Sequence, residues 1–236
     1  MVDIDLHRSF FIKILREIYT DPNLRTLLGF KGGTAAMLFY DLPRFSVDLD
    51  FDLLNTDKKE AVFEKCKVLL PEFGVLSQAA DKQYTLFFLL KYSKGERNLK
   101  IEISKRPASA QFVVKNYLGI SMLVIAQADM AAGKLAALLT RKRFATRDVF
   151  DTWFFLKNNW PINEAVLTEK TGLALPVALE KALVQVKGIK KTELLAGLGD
   201  LIDNKQKDWA RNHLVDELVF YLDLYRSELN KKSLNS

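Results

Sequence analysis

The spacing of apolar and polar residues predicts three β-strands in the first half of the chain. Residues 45–53 alternate strictly, which is typical of a strand with one buried face. Residues 84–92 are rich in leucine and phenylalanine, and residues 99–103 alternate again after the turn-forming residues 94–97. The second and third strands are therefore predicted to form a hairpin.

Helical spacing of apolar residues predicts helices around these strands. In the first half of the chain the predicted helices cover residues 5–20, 35–40 and 57–70. From residue 126 onward the strand pattern disappears, and helices are predicted at 126–140, 147–158, 163–170, 175–187, 192–203 and 206–230. We therefore predict an N-terminal domain of strands and helices over residues 1–120 and a helical C-terminal domain over residues 121–236.

Composition narrows the class of protein. The 236 residues are 49% hydrophobic, which is enough for a large core, and the net charge of +6 permits a polyanionic partner without requiring one. A single cysteine, Cys66, excludes an intrachain disulfide, suits a reducing compartment and is expected in the core. Apolar runs are far shorter than the about 20 residues of a membrane helix, so we expect a cytoplasmic protein with no membrane partner. His7 and His213 lack zinc-ligand spacing and are expected at the surface.

The sharpest local feature is the motif Asp48-Leu49-Asp50 in the first predicted strand. Residues i and i+2 of a strand share a face, so the two carboxylates project side by side, with their Cα atoms about 6.5–7 Å apart. Adjacent anions stay ionised together most easily with a cation between them, and Mg²⁺ prefers such oxygen ligands. The pair alone also fits a solvent-facing polar strand edge, and this alternative stays open.

A glycine turn precedes this strand, in the stretch Lys31-Gly32-Gly33-Thr34. Glycine lets the backbone approach an anion closely, and the free N–H groups of a helix start can bind phosphate, with the Thr34 hydroxyl as a further donor. An ordinary helix-entry turn is the alternative. The combination is a phosphate-binding turn, then a short helix, then two carboxylates on a strand. It is more specific than the glycine turn or the carboxylate pair alone.

Two further polar residues lie on the predicted strand faces. Glu102, on the polar face of residues 99–103, is a candidate third metal ligand or a base near the attacking oxygen. A salt bridge to Lys100 or to another lysine is the alternative. Ser46 shares the face of both aspartates, so its hydroxyl is a candidate phosphate contact or a site of modification; otherwise it only satisfies strand polarity.

A basic block follows in the helical half. Five positive charges occur in the fourteen residues from 134 to 147 without an intervening acid, namely Lys134, Arg141, Lys142, Arg143 and Arg147. Such a cluster suits a triphosphate or an RNA backbone. The alternatives are a solvated helix end, a salt bridge between Arg147 and Asp151 along one helix, and Asp148 as a first-turn acid.

Together these stretches resemble the AbiEii/AbiGii-type toxin family. Residues 31–35 and 44–51 look like its first motif, and residues 133–138 and 147–151 are similar to its second conserved block. The family consists of nucleotidyltransferase-like proteins of the DNA polymerase β-type superfamily. The resemblance implies an α+β fold, with a nucleotidyltransferase-like mixed sheet and flanking helices, followed by a C-terminal helical bundle.

The resemblance also implies a site and a function. Asp48 and Asp50 would chelate Mg²⁺ or Mn²⁺, Gly32, Gly33 and Thr34 would hold the phosphates of an NTP, and Lys134 and Asp148 would belong to the same site. Family members are typically the toxin half of a bacterial toxin–antitoxin or phage-defence pair, partnered by an antitoxin, and tRNA is a known acceptor class.

We therefore expect a magnesium-dependent nucleotidyltransferase that moves an NMP from an NTP to RNA, with a tRNA end as the acceptor. Lys31, Ser46, Arg143 and Arg147 are added as nucleotide contacts, and the first two C-terminal helices are expected to complete the site. Two alternatives stay open. One is transfer to a small molecule or a protein side chain, and the other is a non-catalytic nucleotide- or RNA-binding module.

Overall fold

The computed structural model describes residues 3–95, 97–107, 109–141 and 145–234. The chain divides into two compact units, residues 1–125 and residues 126–236. The first unit contains a mixed β-sheet with helices, and the described part of the second unit is helical. The fold class is therefore α+β, as predicted. Among the described residues, no helix combines the length and the apolarity that crossing a membrane requires.

The first unit is built on seven strands. Its helices are α1 (Ile4–Thr20), α2 (Gly32–Phe39) and α3 (Lys59–Leu69). Its strands are β1 (Leu28–Lys31), β2 (Asp48–Leu53), β3 (Val75–Lys82), β4 (Thr85–Lys91), β5 (Leu99–Ser104), β6 (Phe112–Tyr117) and β7 (Ile120–Ile125). They form one sheet in the order β3-β4-β5-β2-β1-β7-β6.

Strand β2 lies at the centre of this sheet. It pairs antiparallel with β1 and parallel with β5, while β5 pairs antiparallel with β4, which confirms the predicted hairpin. Leu49 and Phe51 of β2 are fully buried, so one face of the strand packs into the core. The alternate residues, beginning with Asp48, lie on the opposite face of the strand.

Four strands were not predicted. β1 has only four residues, and β3 is an edge strand whose side chains are mostly exposed, so neither has the apolar alternation that indicates a half-buried strand. β6 and β7 form a hairpin around Leu118 and Gly119, both at positive φ. β6 does not alternate between apolar and polar residues, and β7 is an almost continuous apolar run, so neither has the strict alternation on which the strand predictions were based.

The second unit contains five helices among its described residues, α4 (Gln127–Thr140), α5 (Thr146–Lys157), α6 (Glu164–Thr171), α7 (Leu175–Lys187) and α8 (Asn204–Leu234). The helix predicted over 192–203 is wrong. That segment holds only the short 3-10 turns Lys191–Glu193 and Gly199–Leu201, because Gly197 at φ +72° breaks the helical path between them.

A shared hydrogen-bond acceptor joins α5 to α8. The indole N–H groups of Trp153 and Trp209 both donate to the carboxylate of Glu217, at 2.9 and 3.1 Å. The centroids of the two rings are 4.3 Å apart. The buried indole of Trp153 and the half-buried indole of Trp209 therefore each have a partner for the polar atom, and the aromatic surfaces anchor the two helices to each other.

Candidate active site

A row of carboxylates runs along one face of β2. Asp48, Asp50 and Asp52 alternate with buried apolar residues, and the parallel register with β5 sets Asp50 opposite Glu102. We call Asp48, Asp50, Asp52 and Glu102 the carboxylate face. The structure thus puts the three carboxylates that the sequence proposed as metal ligands, Asp48, Asp50 and Glu102, on one side of the sheet.

Lys100 is the cation at the centre of this face. Its Nζ atom lies 3.1 Å from Oδ2 of Asp48 and 2.9 Å from Oε2 of Glu102. Burial acts to lower the pKa of Lys100, but the hydrogen bond to Glu102 and the charge of Asp48 outweigh burial and raise the pKa above its usual value. Glu102 therefore forms the salt bridge with Lys100 that the sequence offered as an alternative, and it also lies on the same side of the sheet as Asp50.

Asp50 is the carboxylate whose charge is least compensated. Desolvation raises its pKa above the usual value, and the negative charges of Asp48 and Glu102 add to this effect, while Lys100 and Lys31 oppose it only in part. Asp52, in contrast, is buried in a direct ion pair with Lys31. A cation at Asp50 would relieve repulsion that the protein itself leaves in place.

The glycine turn packs directly against Asp50. Gly32 begins α2 at φ +80°, and a Cβ atom at this position would overlap the Asp50 side chain. A Cβ atom at Gly33 would lie 2.7 Å from Nη2 of Arg44 and 2.8 Å from Oγ of Ser46. Asp50 therefore lies against Gly32, Arg44 and Ser46 lie against Gly33, and neither glycine has room for a side chain.

Two predicted phosphate contacts already have protein partners. The buried hydroxyl of Thr34 donates to the backbone oxygen of Asp48, and the ammonium of Lys31 pairs with Asp52. Thr34 therefore fixes the start of β2 relative to α2, and its backbone N–H is the group left for an anion. The first N–H groups of a helix have no partner within the helix, so those of α2 can bind phosphate.

His7 is buried, although the sequence predicted it at the surface. Its Nε2 atom is 3.0 Å from the backbone oxygen of Val47, and its Nδ1 atom contacts the hydroxyl of Tyr92. The polar ring can be buried because both of its nitrogen atoms have partners. His7 thereby anchors the residue that precedes Asp48, and His213 is exposed as predicted. Cys66 is buried as predicted.

The second unit holds a buried ionic cluster between α4 and α5. Nζ of Lys134 lies 2.7 Å from Oδ2 of Asp151 and 3.2 Å from Oδ1 of Asp148, and Nε of Arg141 lies 3.1 Å from Oδ2 of Asp148. Both aspartates are fully buried. Lys134 and Arg141 thus both contact Asp148, and two acids balance their charges.

The basic block has three further residues, Lys142, Arg143 and Arg147. Arg147 is half-buried in the first turn of α5, next to Asp148 in sequence. Arg143, like Lys142, lies outside the described residues. Their roles as nucleotide contacts stay predictions.

The chemistry of the carboxylate face fits a magnesium ion on two residues. Mg²⁺ is usually bound through one or two carboxylates together with substrate phosphates and water. Within the described ranges, no three His, Cys, Asp or Glu side chains are grouped so as to hold one metal ion. Asp48 and Asp50 would then be the two oxygen ligands, whereas Glu102, proposed from the sequence as a third ligand, is paired with Lys100.

Asp50→Asn is expected to raise the melting temperature at pH 7 in the presence of EDTA, because the amide removes a carboxylate whose ionisation the fold disfavours. A carboxyl group with a raised pKa binds its proton more tightly in the folded than in the unfolded protein. Its ionisation therefore costs stability at neutral pH, and this cost disappears as the pH falls toward the usual value of 3.8. Circular dichroism melts between pH 7 and pH 4 should show the gain shrinking.

Asp52→Asn is the matched control on the same strand face. It breaks the buried ion pair with Lys31, so it is expected to lower the melting temperature at pH 7. Equal shifts of the same sign in both variants would contradict the charge distribution described here.

Comparisons with known proteins identify the family of this chain and structures with a similar fold. Residues 13–212 match the family model of the AbiEii nucleotidyl transferase toxin, a type IV toxin–antitoxin system. The fold is similar to that of JHP933 from Helicobacter pylori (TM-score 0.62, 21% identity, covering 100% of this chain and 97% of that one). It is also similar to MenT4, a nucleotidyltransferase toxin from Mycobacterium tuberculosis H37Rv (TM-score 0.57, 18% identity, covering 91% and 82%). No curated protein matches the chain.

Proposed function

Because this chain belongs to the AbiEii family of nucleotidyl transferase toxins, and is thus a nucleotidyltransferase, we propose that it moves an NMP from an NTP to RNA. The proposed acceptor is a tRNA end, and the proposed cofactor is Mg²⁺ or Mn²⁺ held by Asp48 and Asp50. The observation that carries the proposal is the contact between the glycine turn of α2 and Asp50. It puts an anion-binding helix start beside the oxygen ligands of a cation.

The triphosphate is assigned to the first turn of α2. The backbone N–H groups at Gly32, Gly33 and Thr34 are the donors, because they lie at the positive end of the helix and the glycines allow close approach. Ser46 and Arg44 lie beside Gly33 and would extend the donors with a hydroxyl and a guanidinium. Lys31 immediately precedes this turn and is paired with Asp52, and we assign its ammonium as a further contact to the triphosphate.

A divalent ion held by Asp48 and Asp50 would neutralise phosphate charge as it develops during transfer. The protein's part is to hold both carboxylates on the face of β2 that adjoins the glycine turn. Thr34 and His7 support that arrangement, because one fixes the backbone of Asp48 and the other that of Val47.

The transfer itself exchanges one phosphorus–oxygen bond for another. The acceptor hydroxyl oxygen forms a bond to the α-phosphorus, the bond from the α-phosphorus to the bridging oxygen breaks, and pyrophosphate leaves. We assign Glu102 as the group that accepts the hydroxyl proton, because its partly exposed carboxylate lies beside Asp50 without joining a three-residue metal group.

The second unit is assigned a part in the same reaction. Lys134 would stabilise the pyrophosphate leaving group, with help from Arg143 or Arg147, and Asp148 would position the Lys134 ammonium through their ion pair.

The family supports a proposal for the biological setting. We propose that the chain acts in the cytoplasm as the toxin of a toxin–antitoxin or phage-defence pair and is restrained by a cognate antitoxin. The net charge of +6 is compatible with an RNA acceptor.

The proposal predicts that radiolabel from an α-³²P NTP enters RNA when the purified protein and Mg²⁺ are added to a cell extract. The label is then measured in the RNA and protein fractions, before and after treatment with ribonuclease, and tRNA is resolved on a denaturing gel. The Asp48→Asn variant is the control for contaminating enzymes. Label that appears only in protein or in a small molecule would contradict the RNA acceptor. If the wild-type protein transfers label from none of the NTPs, the proposed transfer is wrong.

A further inference from the structure

Lys100 has an unusual place for a lysine, in the middle of the acidic side of the central sheet. Its Nζ atom bridges Asp48 and Glu102 at 3.1 and 2.9 Å, while its side chain is only 30% exposed. A lysine that served solubility would extend its ammonium into water, as long charged side chains do. Lys100 instead points its charge at two carboxylates of one proposed active site.

The position of Lys100 changes the net charge of the carboxylate face. Asp48, Asp50 and Glu102 carry three negative charges close together, and Asp52 is already paired with Lys31. Lys100 compensates one of the three, so two negative charges remain, which one divalent ion balances. Without Lys100, one negative charge would remain after the first divalent ion is bound, and this charge would attract a second cation.

We propose that Lys100 is a fixed cation of the active site, in the place of one of the two metal ions that many nucleotidyl-transfer sites use. The chain then binds a single divalent ion, at Asp48 and Asp50. Lys100 is a positioning residue that holds Asp48 and Glu102 through its ion pairs. This inference rests on the proposed function, because it takes Asp48 and Asp50 as the metal ligands.

The inference has a measurable consequence for metal binding. An ammonium beside Asp48 repels a divalent ion held by the same carboxylate. Removal of that charge is therefore expected to tighten the binding of the first ion by about tenfold or more and to create a second site. If the ion pairs only brace β2 against β5, neutral substitution leaves the number of bound ions unchanged.

The test is a Mn²⁺ titration of the whole chain without nucleotide, with free Mn²⁺ measured by electron paramagnetic resonance. We expect one bound ion per wild-type chain, and two in Lys100→Gln, which keeps hydrogen-bonding groups but loses the charge. Lys100→Arg keeps the charge and is expected to bind one ion. Lys91→Gln, at an exposed lysine of the neighbouring strand β4, is the matched control and should behave as wild type.

The outcomes separate this inference from the proposed function. One ion in both wild type and Lys100→Gln, lost in Asp48→Asn, would overturn the role of Lys100 and leave the metal site standing. No ion in wild type would overturn the role of Lys100 and a metal site that forms without nucleotide, whereas the radiolabel assay tests the transfer reaction separately. Thermal melts establish that each variant is folded, and Lys100→Met supplies a second neutral side chain if Lys100→Gln does not fold.

Discussion

Replacing Asp48 with asparagine is expected to lower the rate of NMP transfer by about a thousandfold or more. Loss of a metal ligand removes several kcal/mol of transition-state stabilisation, and about 1.4 kcal/mol corresponds to each factor of ten. The amide is nearly the same size as the carboxylate and leaves the apolar side of β2 intact, so the fold should be retained. Single-turnover transfer of radiolabel from an NTP to RNA measures the effect.

The same variant separates an enzyme from a binding module. In a growth assay with induced expression, Asp48→Asn should abolish toxicity if toxicity depends on transfer, whereas a binding effect would survive. Asp57→Asn, an exposed aspartate of the same unit, is the matched control. Transfer by Asp48→Asn within tenfold of the wild-type rate would rule out Asp48 as a metal ligand.

Replacing Lys134 with alanine is expected to have the largest effect on stability, a loss of about 3 kcal/mol or more in the free energy of unfolding. Asp148 and Asp151 are fully buried, and the substitution removes the ammonium that both carboxylates contact. Breaking a buried ionic group from one side costs about 3–5 kcal/mol, because a charge remains without compensation. Urea denaturation of the full chain, followed by the tryptophan fluorescence of the second unit, measures this loss.

A double variant tests whether the loss comes from uncompensated charge. Asp151→Asn in the Lys134→Ala background removes one of the two buried negative charges that Lys134 contacts, so part of the stability should return. Lys181→Ala, at an exposed lysine of α7, is the control and should be nearly neutral. A small loss in Lys134→Ala, equal to that of Lys181→Ala, would mean that the buried cluster contributes little.

The sequence was sufficient where the chemistry was local to one strand or turn. The strict alternation over residues 45–53 predicted that Asp48 and Asp50 share a face, and the glycines at 32 and 33 predicted the turn that the structure packs against Asp50. Both patterns depend on neighbouring residues and on backbone geometry, which a single chain segment already determines. Glu102 was placed on the polar side of its strand for the same reason.

The interactions that a single segment cannot reveal were missed or left open. Lys100 was considered only as a partner for Glu102, because its contact with Asp48 depends on the parallel register of β2 and β5. The basic block looked uncompensated because Asp148 and Asp151 reach Lys134 only once α4 and α5 pack together. His7 looked like a surface residue because its partners, Val47 and Tyr92, are 40 and 85 residues away.

The paired indoles of α5 and α8 offer a way to observe one half of the chain by itself. All three tryptophans, Trp153, Trp160 and Trp209, fall within the second unit, and two of them share Glu217. Intrinsic fluorescence excited selectively at indole therefore reports the melting of the helical unit, while the first unit contributes only tyrosine emission. The full-length chain thus carries its own optical probe for asking whether the two halves unfold together or in separate steps.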